Sequence, residues 1–191
     1  SVNTTASVSH PIGAVVRVEL GGFYYDVRDL ITRNGLNALN VYQNVGKVRM
    51  AGFETVVEVT PLPGLSFRAD YTYVDARDES DGRATDDVTN VPAHKAGFLA
   101  QYTVPGPGTV LDLDALYLGS MYSSLPSPPY PKDPVKEVDG YFLLGARVTQ
   151  EVVKGIRLHV AVRNLLDADY ESEAGFPGQG RTFAVGAAAT F

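Results

Sequence analysis

Charged side chains recur at every second position in several segments of this sequence. Arg157, His159 and Arg163 share one parity, while the even positions from 156 to 162 are all apolar. Alternation of this kind places the charged groups on one face of a strand, where they can bind ions or polar ligands or pair with one another. The residues that such a face offers to a ligand are Arg68, Asp70, Asp112, Asp114, Arg147, Arg157, His159 and Arg163.

Catalytic signatures are missing from the sequence. It contains no G-x-S-x-G, no H-E-x-x-H and no Walker lysine motif. His10, His94 and His159 lie far apart and no pair has metal-ligand spacing, and there is no Cys to supply a thiolate nucleophile or a zinc-thiolate site. We therefore expect no catalytic residues, no metal site, no cofactor and no enzymatic activity.

Two polar segments have ligand-binding alternatives. The acidic run "DARDESDGRATDD" (75–87) is rich in oxygen ligands for Ca²⁺, but Arg77 stands where an EF-hand loop needs its first Asp. The segment "LPSPPYPKDP" (125–134) has the composition of a polyproline ligand. Charge runs and Pro-rich segments between strands are more often solvated loops, and both are interpreted in that way.

Net charge and hydrophobic run length exclude two classes of protein. The chain has a formal net charge of −6, whereas a nucleic-acid-binding surface needs clustered Lys and Arg. No stretch approaches the roughly 18 consecutive apolar residues of a membrane-spanning helix. Nucleic acid is therefore not an expected partner, and any membrane association must use another kind of element.

Period-2 alternation, broken by clusters of Gly, Pro, Asn and Asp, predicts an all-β fold. We predict about nine strands, near residues 2–9, 14–28, 39–60, 65–76, 93–104, 109–122, 138–150, 155–164 and 181–191.

Short and long connections alternate between these strands. The short ones are 10–14, 61–64, 105–108 and 151–155, and the long ones are 29–38, 77–92, 123–137 and 165–180. Consecutive antiparallel strands then have short turns at one end and long loops at the other, as in up-and-down outer-membrane barrels. Alternation by itself would fit a soluble β-sandwich equally well; the sorting of the loops favours the transmembrane barrel.

A membrane barrel assigns a solvent to each face. Closing the sheet gives every backbone N–H and C=O group a hydrogen-bond partner. The side chains of the apolar parity then face lipid, and those of the polar parity line the lumen. We expect this arrangement on strands 65–76, 155–164 and 181–191. Aromatic residues near strand ends suit an interfacial girdle. They are Phe23, Tyr24, Tyr25, Tyr71, Tyr73, Tyr117, Tyr122, Tyr141 and Phe142.

Several segments resemble the C-terminal barrel of the TonB-dependent outer-membrane receptors. The densest similarity lies in "VRNLLDADYESEAGFPGQGRTFAVGAAATF" (162–191), which resembles the final hairpin of that family. Further similar segments, in family order, are "ELGGFYYDVRDLI" (19–31), "NVGKVRMAGFETVVEVTPLPGLSFRADYTYVDARDES" (44–80) and "NVPAHKAGFLAQYTVPG" (90–106).

The resemblance implies that residues 1–191 are the C-terminal portion of a barrel of about 22 strands, located in the bacterial outer membrane. It implies a plug domain and a TonB-engaging segment, both absent here, and the remaining barrel strands and outer-membrane lipid as partners. It also makes the terminal strand the signal read by the outer-membrane assembly machinery, through Phe183, Val185 and Phe191.

The function implied by the resemblance is import of a scarce small molecule, such as a ferric siderophore or cobalamin, of which this chain forms part of the wall. One alternative is a small self-contained outer-membrane barrel with a structural or pore role, which would need its first and last strands to pair. Another is a soluble β-sandwich binding module. In the import hypothesis the lumen-facing charges contact the ligand, or else pair with one another and with the plug.

Overall fold

A computed structural model describes residues 1–34, 41–81, 83, 85–124 and 135–190. Its strands are β1 (Val2–Ile12), β2 (Val16–Asn34), β3 (Val41–Leu62), β4 (Leu65–Asp78), β5 (His94–Thr103), β6 (Val110–Leu118), β7 (Met121–Ser124), β8 (Lys136–Val138), β9 (Tyr141–Val153), β10 (Ile156–Arg163), β11 (Glu171–Glu173), β12 (Phe176–Pro177) and β13 (Thr182–Ala189). In this part of the chain, no helix is long and apolar enough to cross a bilayer.

One nine-stranded sheet dominates the structure, in the order β1-β2-β3-β4-β5-β6-β9-β10-β13. Neighbouring strands in it are antiparallel. The other four strands form two ribbons, β7 with β8 and β11 with β12. The predicted all-β, up-and-down architecture is confirmed, as is the count of about nine sheet strands.

Short turns join the strands at one end of the sheet. Gly64 and Gly155, in the turns after β3 and β9, have φ of 83° and 81°, a conformation that glycine adopts without steric cost. The turns after β1 and β5 lie at the same end, because consecutive strands are antiparallel. The predicted sorting of short and long connections is therefore confirmed, although β2 extends to Asn34 and takes in much of the predicted loop 29–38.

The long-loop end is more ordered than the alternation predicts. β2 continues past residue 28, through register shifts after Val27 and Leu30. The predicted strand 109–122 leaves the sheet after Gly119, whose N–H donates to His94 O at 2.8 Å, and continues as the separate strand β7. The predicted loop 165–180 contains the β11–β12 ribbon. Alternation marks a segment as extended but does not say which partner it pairs with.

The sheet has two unpaired edges within the described residues. β1 pairs only with β2, and β13 pairs only with β10. The strand order places β1 and β13 at opposite ends of the sheet. The pairing that a small self-contained barrel would need, between β1 and β13, is absent among the described residues, and the sheet is an open section of barrel wall.

The two faces of the sheet differ as the alternation predicts. Polar-parity residues such as Gln101, Asp112 and Arg147 line hollows on the sheet, which makes theirs the concave face. The opposite face exposes apolar side chains, with Phe183 73% and Val185 79% accessible. In the described part of the chain, Val48 and Val138 are the only buried apolar core residues. A soluble sandwich would bury one face against a second sheet, and this single layer does not.

The aromatic girdle is only partly as predicted. Phe53, Tyr71, Tyr73 and His94 cluster on the apolar face, where the Tyr71 hydroxyl lies 2.7 Å from His94 Nδ1.

The assignment of Phe23 and Tyr25 to the girdle is wrong. Phe23 and Tyr25 have the concave parity, where their rings stack at a centroid distance of 5.3 Å. Tyr141 is also wrongly assigned, because it has the concave parity of Arg147 on β9 and its ring meets that of Tyr170. Successive residues of a strand point to opposite faces, so in a run of three aromatics only the middle one, Tyr24, faces outward.

Candidate functional site

The predicted ligand-contacting residues share the concave face. Cross-strand register pairs Asp112 with Arg147 and Arg147 with Ala161, and pairs Arg68 with Glu58, which carries the same parity. The full predicted set on this face is Arg68, Asp70, Asp112, Asp114, Arg147, Arg157, His159 and Arg163. Their contact with a ligand remains a prediction.

A hollow of about 730 Å³ brings half of these residues together. Asp112 and Asp114 line it from β6, Arg147 from β9 and Arg163 from β10. A smaller hollow of about 360 Å³ lies beside it and includes Arg68 and Asp112. Asp70, Arg157 and His159 line neither hollow. The predicted site is therefore a wall along several strands rather than one pocket.

Some of these charges are already paired within the wall. Arg68 Nη1 donates to Glu58 Oε1 at 2.6 Å, and Gln101 Nε2 donates to Asp112 Oδ1 at 2.8 Å. Asp114 lies flat over the neighbouring strand: a Cβ atom at Gly145 would come within 2.6 Å of its carboxylate. The glycine therefore makes room for that side chain against the wall.

Asn164 organises the loop that follows β10, a role that sequence reasoning missed. Its side chain is buried, accepts a hydrogen bond from Ala168 N at 2.9 Å, and donates to Ala168 O at 2.9 Å and Gln179 O at 3.2 Å. Asp167 accepts a hydrogen bond from Arg181 N at 2.8 Å. The "NLLD" segment is thus a loop-folding motif that ties the end of β10 to the start of β13. A polar residue directly after an alternating strand was the available signal.

Hydrogen bonds tie the segments above the sheet to one another. Asn90 N donates to Tyr122 O at 2.7 Å, and Ala174 N donates to Ser123 Oγ at 3.2 Å. These contacts join the loop after β4, the β7–β8 ribbon and the β11–β12 ribbon. The rings of Tyr141 and Tyr170 meet at a centroid distance of 4.6 Å at the rim of the larger hollow. Among the described residues, the loop after β4 and the two ribbons are therefore connected to one another at the long-loop end.

The loop after β4 is also tied to β3 by charge. Lys47 Nζ lies 2.7 Å from Glu79 Oε2, and Arg49 Nε lies 3.5 Å from Glu79 Oε1. The Arg49 Nε contact is an ion pair only, since that atom makes no hydrogen bond. The hydrogen bond from Lys47, reinforced by the nearby positive charges, holds the pKa of the Glu79 carboxyl below its ordinary range. In the loop itself, the hydrogen bond to Asp86 raises the pKa of Arg83.

Metal-binding clusters are not found in the described part of the chain, where no group of three or more His, Asp or Glu side chains could hold an ion. Of the predicted assembly signal, Phe183 and Val185 lie on the apolar face of β13, which ends at Ala189. Phe191 and residues 125–134 lie outside the described residues. The recognition of this strand by the assembly machinery remains a prediction.

A family model described as "TonB dependent receptor-like, beta-barrel" matches residues 7–165. This match covers most of the chain, and the chain belongs to that family.

Solved receptors of iron chelates share the fold. The ferric yersiniabactin uptake receptor FyuA from Yersinia pestis gives a TM-score of 0.80 at 18% identity, over 99% of this chain and 29% of FyuA. The ferric-catecholate import receptor Fiu from K12 E. coli gives 0.74 at 21% identity, over 99% and 27%. The ferripyoverdine receptor of the outer membrane of Pseudomonas aeruginosa gives 0.74 at 15% identity, over 98% and 27%.

These three likenesses show a common fold and extend no ligand to this chain, because the identities are low. The chain spans less than a third of the length of each matched receptor.

Proposed function

We propose that this chain forms part of the wall and external rim of an outer-membrane receptor that imports a scarce ligand, such as a ferric siderophore or cobalamin. The TonB complex supplies the energy through a segment outside this chain. A plug domain, the remaining barrel strands and outer-membrane lipid are its partners. The chain performs no catalysis and needs no cofactor; its task is to position polar groups and loops around the ligand path.

The observation that carries this proposal is the single sheet with one apolar and one charged face. Val160, Phe183 and Val185 would be unfavourable in water but favourable against lipid, at about 25 cal/mol per Å² of apolar surface removed from water. Arg68, Asp112 and Arg147 on the other face need water or polar partners, which a lumen provides. Family membership supports the same assignment.

Neither alternative function has a supporting observation. A small self-contained barrel needs β1 and β13 to pair, and the strand order places them at opposite ends of the sheet. A soluble sandwich needs a second layer against the apolar face, and among the described residues the two extra ribbons are only two to four residues long in each strand.

Uptake by living cells tests the proposal. The natural gene is deleted, and the deletion strain and its parent are each given a panel of labelled ferric siderophores and labelled cobalamin. Uptake of each ligand by the two strains is compared at a limiting ligand concentration. We expect uptake of one ligand to fall to background and to return when the intact gene is restored. A strain without TonB serves as the matched control and should show the same loss.

Two results would contradict the proposal. Unchanged uptake of every ligand in the panel would remove the import function. Uptake that requires the gene but persists without TonB would instead favour a passive pore.

A further inference from the structure

The apolar face of the sheet ends in charged residues at the long-loop end. On β4 its positions are apolar or aromatic from Leu65 to Tyr73, and the next two are Asp75 and Arg77. Register sets Arg49 of β3 opposite Arg77, so both arginines lie on this face. Charged side chains are destabilising against lipid chains, and their level relative to the bilayer therefore decides what they can contact.

The length of β4 places these arginines at the bilayer surface. The ten steps from Leu65 to Asp75 cover about 33 Å, at roughly 3.3 Å per residue. For a strand tilted by about 40°, this is a rise of about 25 Å along the membrane normal, equal to the apolar band of an outer-membrane barrel. Arg77 lies two residues further, with Arg49 opposite it. In the proposed membrane position, both therefore lie among the lipid headgroups of the external leaflet, where the long loops of such barrels emerge.

Arg49 and Arg77 form a like-charged pair across neighbouring strands. Side chains directly opposite each other in an antiparallel sheet have Cβ atoms about 5 Å apart, and like charges at this separation are destabilising. Asp75 compensates part of this repulsion. Its carboxylate accepts hydrogen bonds from Arg77 Nε at 3.1 and 3.2 Å and lies 3.9 Å from Arg49 Nη2. One carboxylate between two guanidinium groups leaves a positive charge.

The other acidic groups near this pair are bonded to other basic residues. Asp26 faces Arg49 in register, but both of its oxygens accept hydrogen bonds from Arg28, at 2.9 and 3.2 Å. Glu79 lies 2.7 Å from Lys47 Nζ. Among the described residues, the cluster has one basic side chain in excess, with Arg28, Lys47, Arg49 and Arg77 against Asp26, Asp75 and Glu79.

Both arginines of the pair have donors available. Arg77 is held through Nε, so its two Nη groups form no hydrogen bond with the described residues, and its side chain is 51% exposed. Arg49 contacts Asp75 and Glu79 only at 3.9 and 3.5 Å, and its Nε forms no hydrogen bond with the described residues. Guanidinium groups with free donors bind phosphate oxygens in bidentate fashion.

We infer that Arg49 and Arg77 bind a phosphate group of a glycolipid in the external leaflet. The phosphate supplies the anion that the like-charged pair lacks. Below the pair, the rings of Phe53 and Tyr73, with centroids 5.8 Å apart, offer an interfacial aromatic surface to the lipid. The inference rests on the proposed function for the position of the sheet in the membrane. It goes beyond that function because it assigns a ligand to the outer face of the wall.

Lipid titration of the natural full-length protein tests the inference. The protein is purified from outer membranes, freed of lipid by detergent exchange, and titrated with bisphosphorylated lipid A or with lipid A whose phosphates have been removed. Native mass spectrometry measures the bound lipid. We expect tighter binding of the phosphorylated form. The double variant Arg49→Gln, Arg77→Gln should weaken its binding roughly thirtyfold, the combined effect expected of two basic residues at an anionic lipid surface, and leave the dephosphorylated form unaffected.

The matched control is Arg17→Gln, Lys95→Gln, which removes the same charge from the concave face and should change neither affinity. Heat-modified gel mobility confirms that each variant is folded. Equal affinity of the wild-type protein for the two lipids would overturn the inference, and this comparison needs no variant. An equal loss in both double variants would overturn it too, since only net charge would matter. Inorganic phosphate that binds as tightly as lipid A would overturn the lipid assignment.

This lipid titration involves neither transport nor TonB. It can therefore succeed when the uptake assay contradicts the proposed function, and it can fail when uptake is confirmed.

Discussion

At the scale of the residue, the parity of a position on β10 decides whether its side chain lies on the apolar or the concave face of the sheet. Leu158 and Val160 are exposed on the apolar face, while Ala161, the residue after Val160, lies on the concave face and contributes to the larger hollow. Replacing Leu158 or Val160 by Arg should cost about 2–4 kcal/mol of folding free energy near mid-bilayer, and Ala161→Arg should cost less. Denaturant unfolding of the natural protein in bilayers measures the difference. Equal costs at positions 160 and 161 would show that the face assignment is wrong.

The Glu79 carboxylate gives a pH-dependent prediction. Its pKa lies below the ordinary value of 4.5 because of the hydrogen bond from Lys47. A carboxyl whose folded pKa is lowered contributes stability above its unfolded pKa and loses it as pH falls through the folded pKa. We expect amide exchange at residues 79–86, corrected for intrinsic rates, to accelerate as pH falls below 4.5. In the Glu79→Gln variant, amide exchange at these residues should be fast at every pH. If exchange in the wild-type protein depends on pH in the same way as in Glu79→Gln, the Glu79 carboxylate does not stabilise the loop.

At the scale of the element, Asn164 holds the connection between β10 and β13. Asn164→Ala removes buried hydrogen bonds to Ala168 and Gln179 and should destabilise this connection by about 1–3 kcal/mol. Gln179→Ala is the matched control, since Gln179 contributes only its backbone carbonyl to the bond with Asn164. Limited proteolysis of residues 165–181 should accelerate in the first variant alone. Comparable rates in both would remove the special role of Asn164.

The two ends of the strands should lie on opposite sides of the membrane. We predict that the loops at 77–92 and 123–137 lie outside the cell and the turns at 61–64 and 105–108 in the periplasm. Protease added to intact cells should cut within "DESDGR" and spare "PGPG". The reverse pattern of cleavage would invert the orientation.

Alternation predicted the sheet strands well because a strand with one apolar and one charged face changes polarity at every residue. It could not predict the β7–β8 and β11–β12 ribbons, since their pairing is decided by contacts between segments far apart in the chain, such as Ala174 with Ser123. The same limit applies to the site. Parity placed Arg147 and Arg157 on one face, and register sets Asp112 and Glu151 opposite them. Only the side-chain contacts reveal that, in the described part of the chain, these two acids bond to other groups and form no ion pair with the arginines.

At the scale of the whole molecule, the unpaired edges dominate the expected behaviour. β1 and β13 leave rows of N–H and C=O groups without partners among the described residues, each costing several kcal/mol in hydrocarbon. We expect these 191 residues, expressed alone, to be insoluble without detergent and to transport nothing. Sedimentation and a liposome flux assay measure this. A soluble, monodisperse monomer, or one that conducts, would contradict it.

The bonds between the segments above the sheet also limit how this surface can diverge. Asn90 bonds to the backbone of Tyr122, and Ser123 in turn bonds to Ala174, so the loop after β4 and the two ribbons meet at adjacent residues of β7. An insertion or exchange in one segment moves the anchor of the other two. Transplanting a single loop from a related receptor should therefore fail more often than transplanting all three, and selection for a new ligand would act on them as one inherited unit.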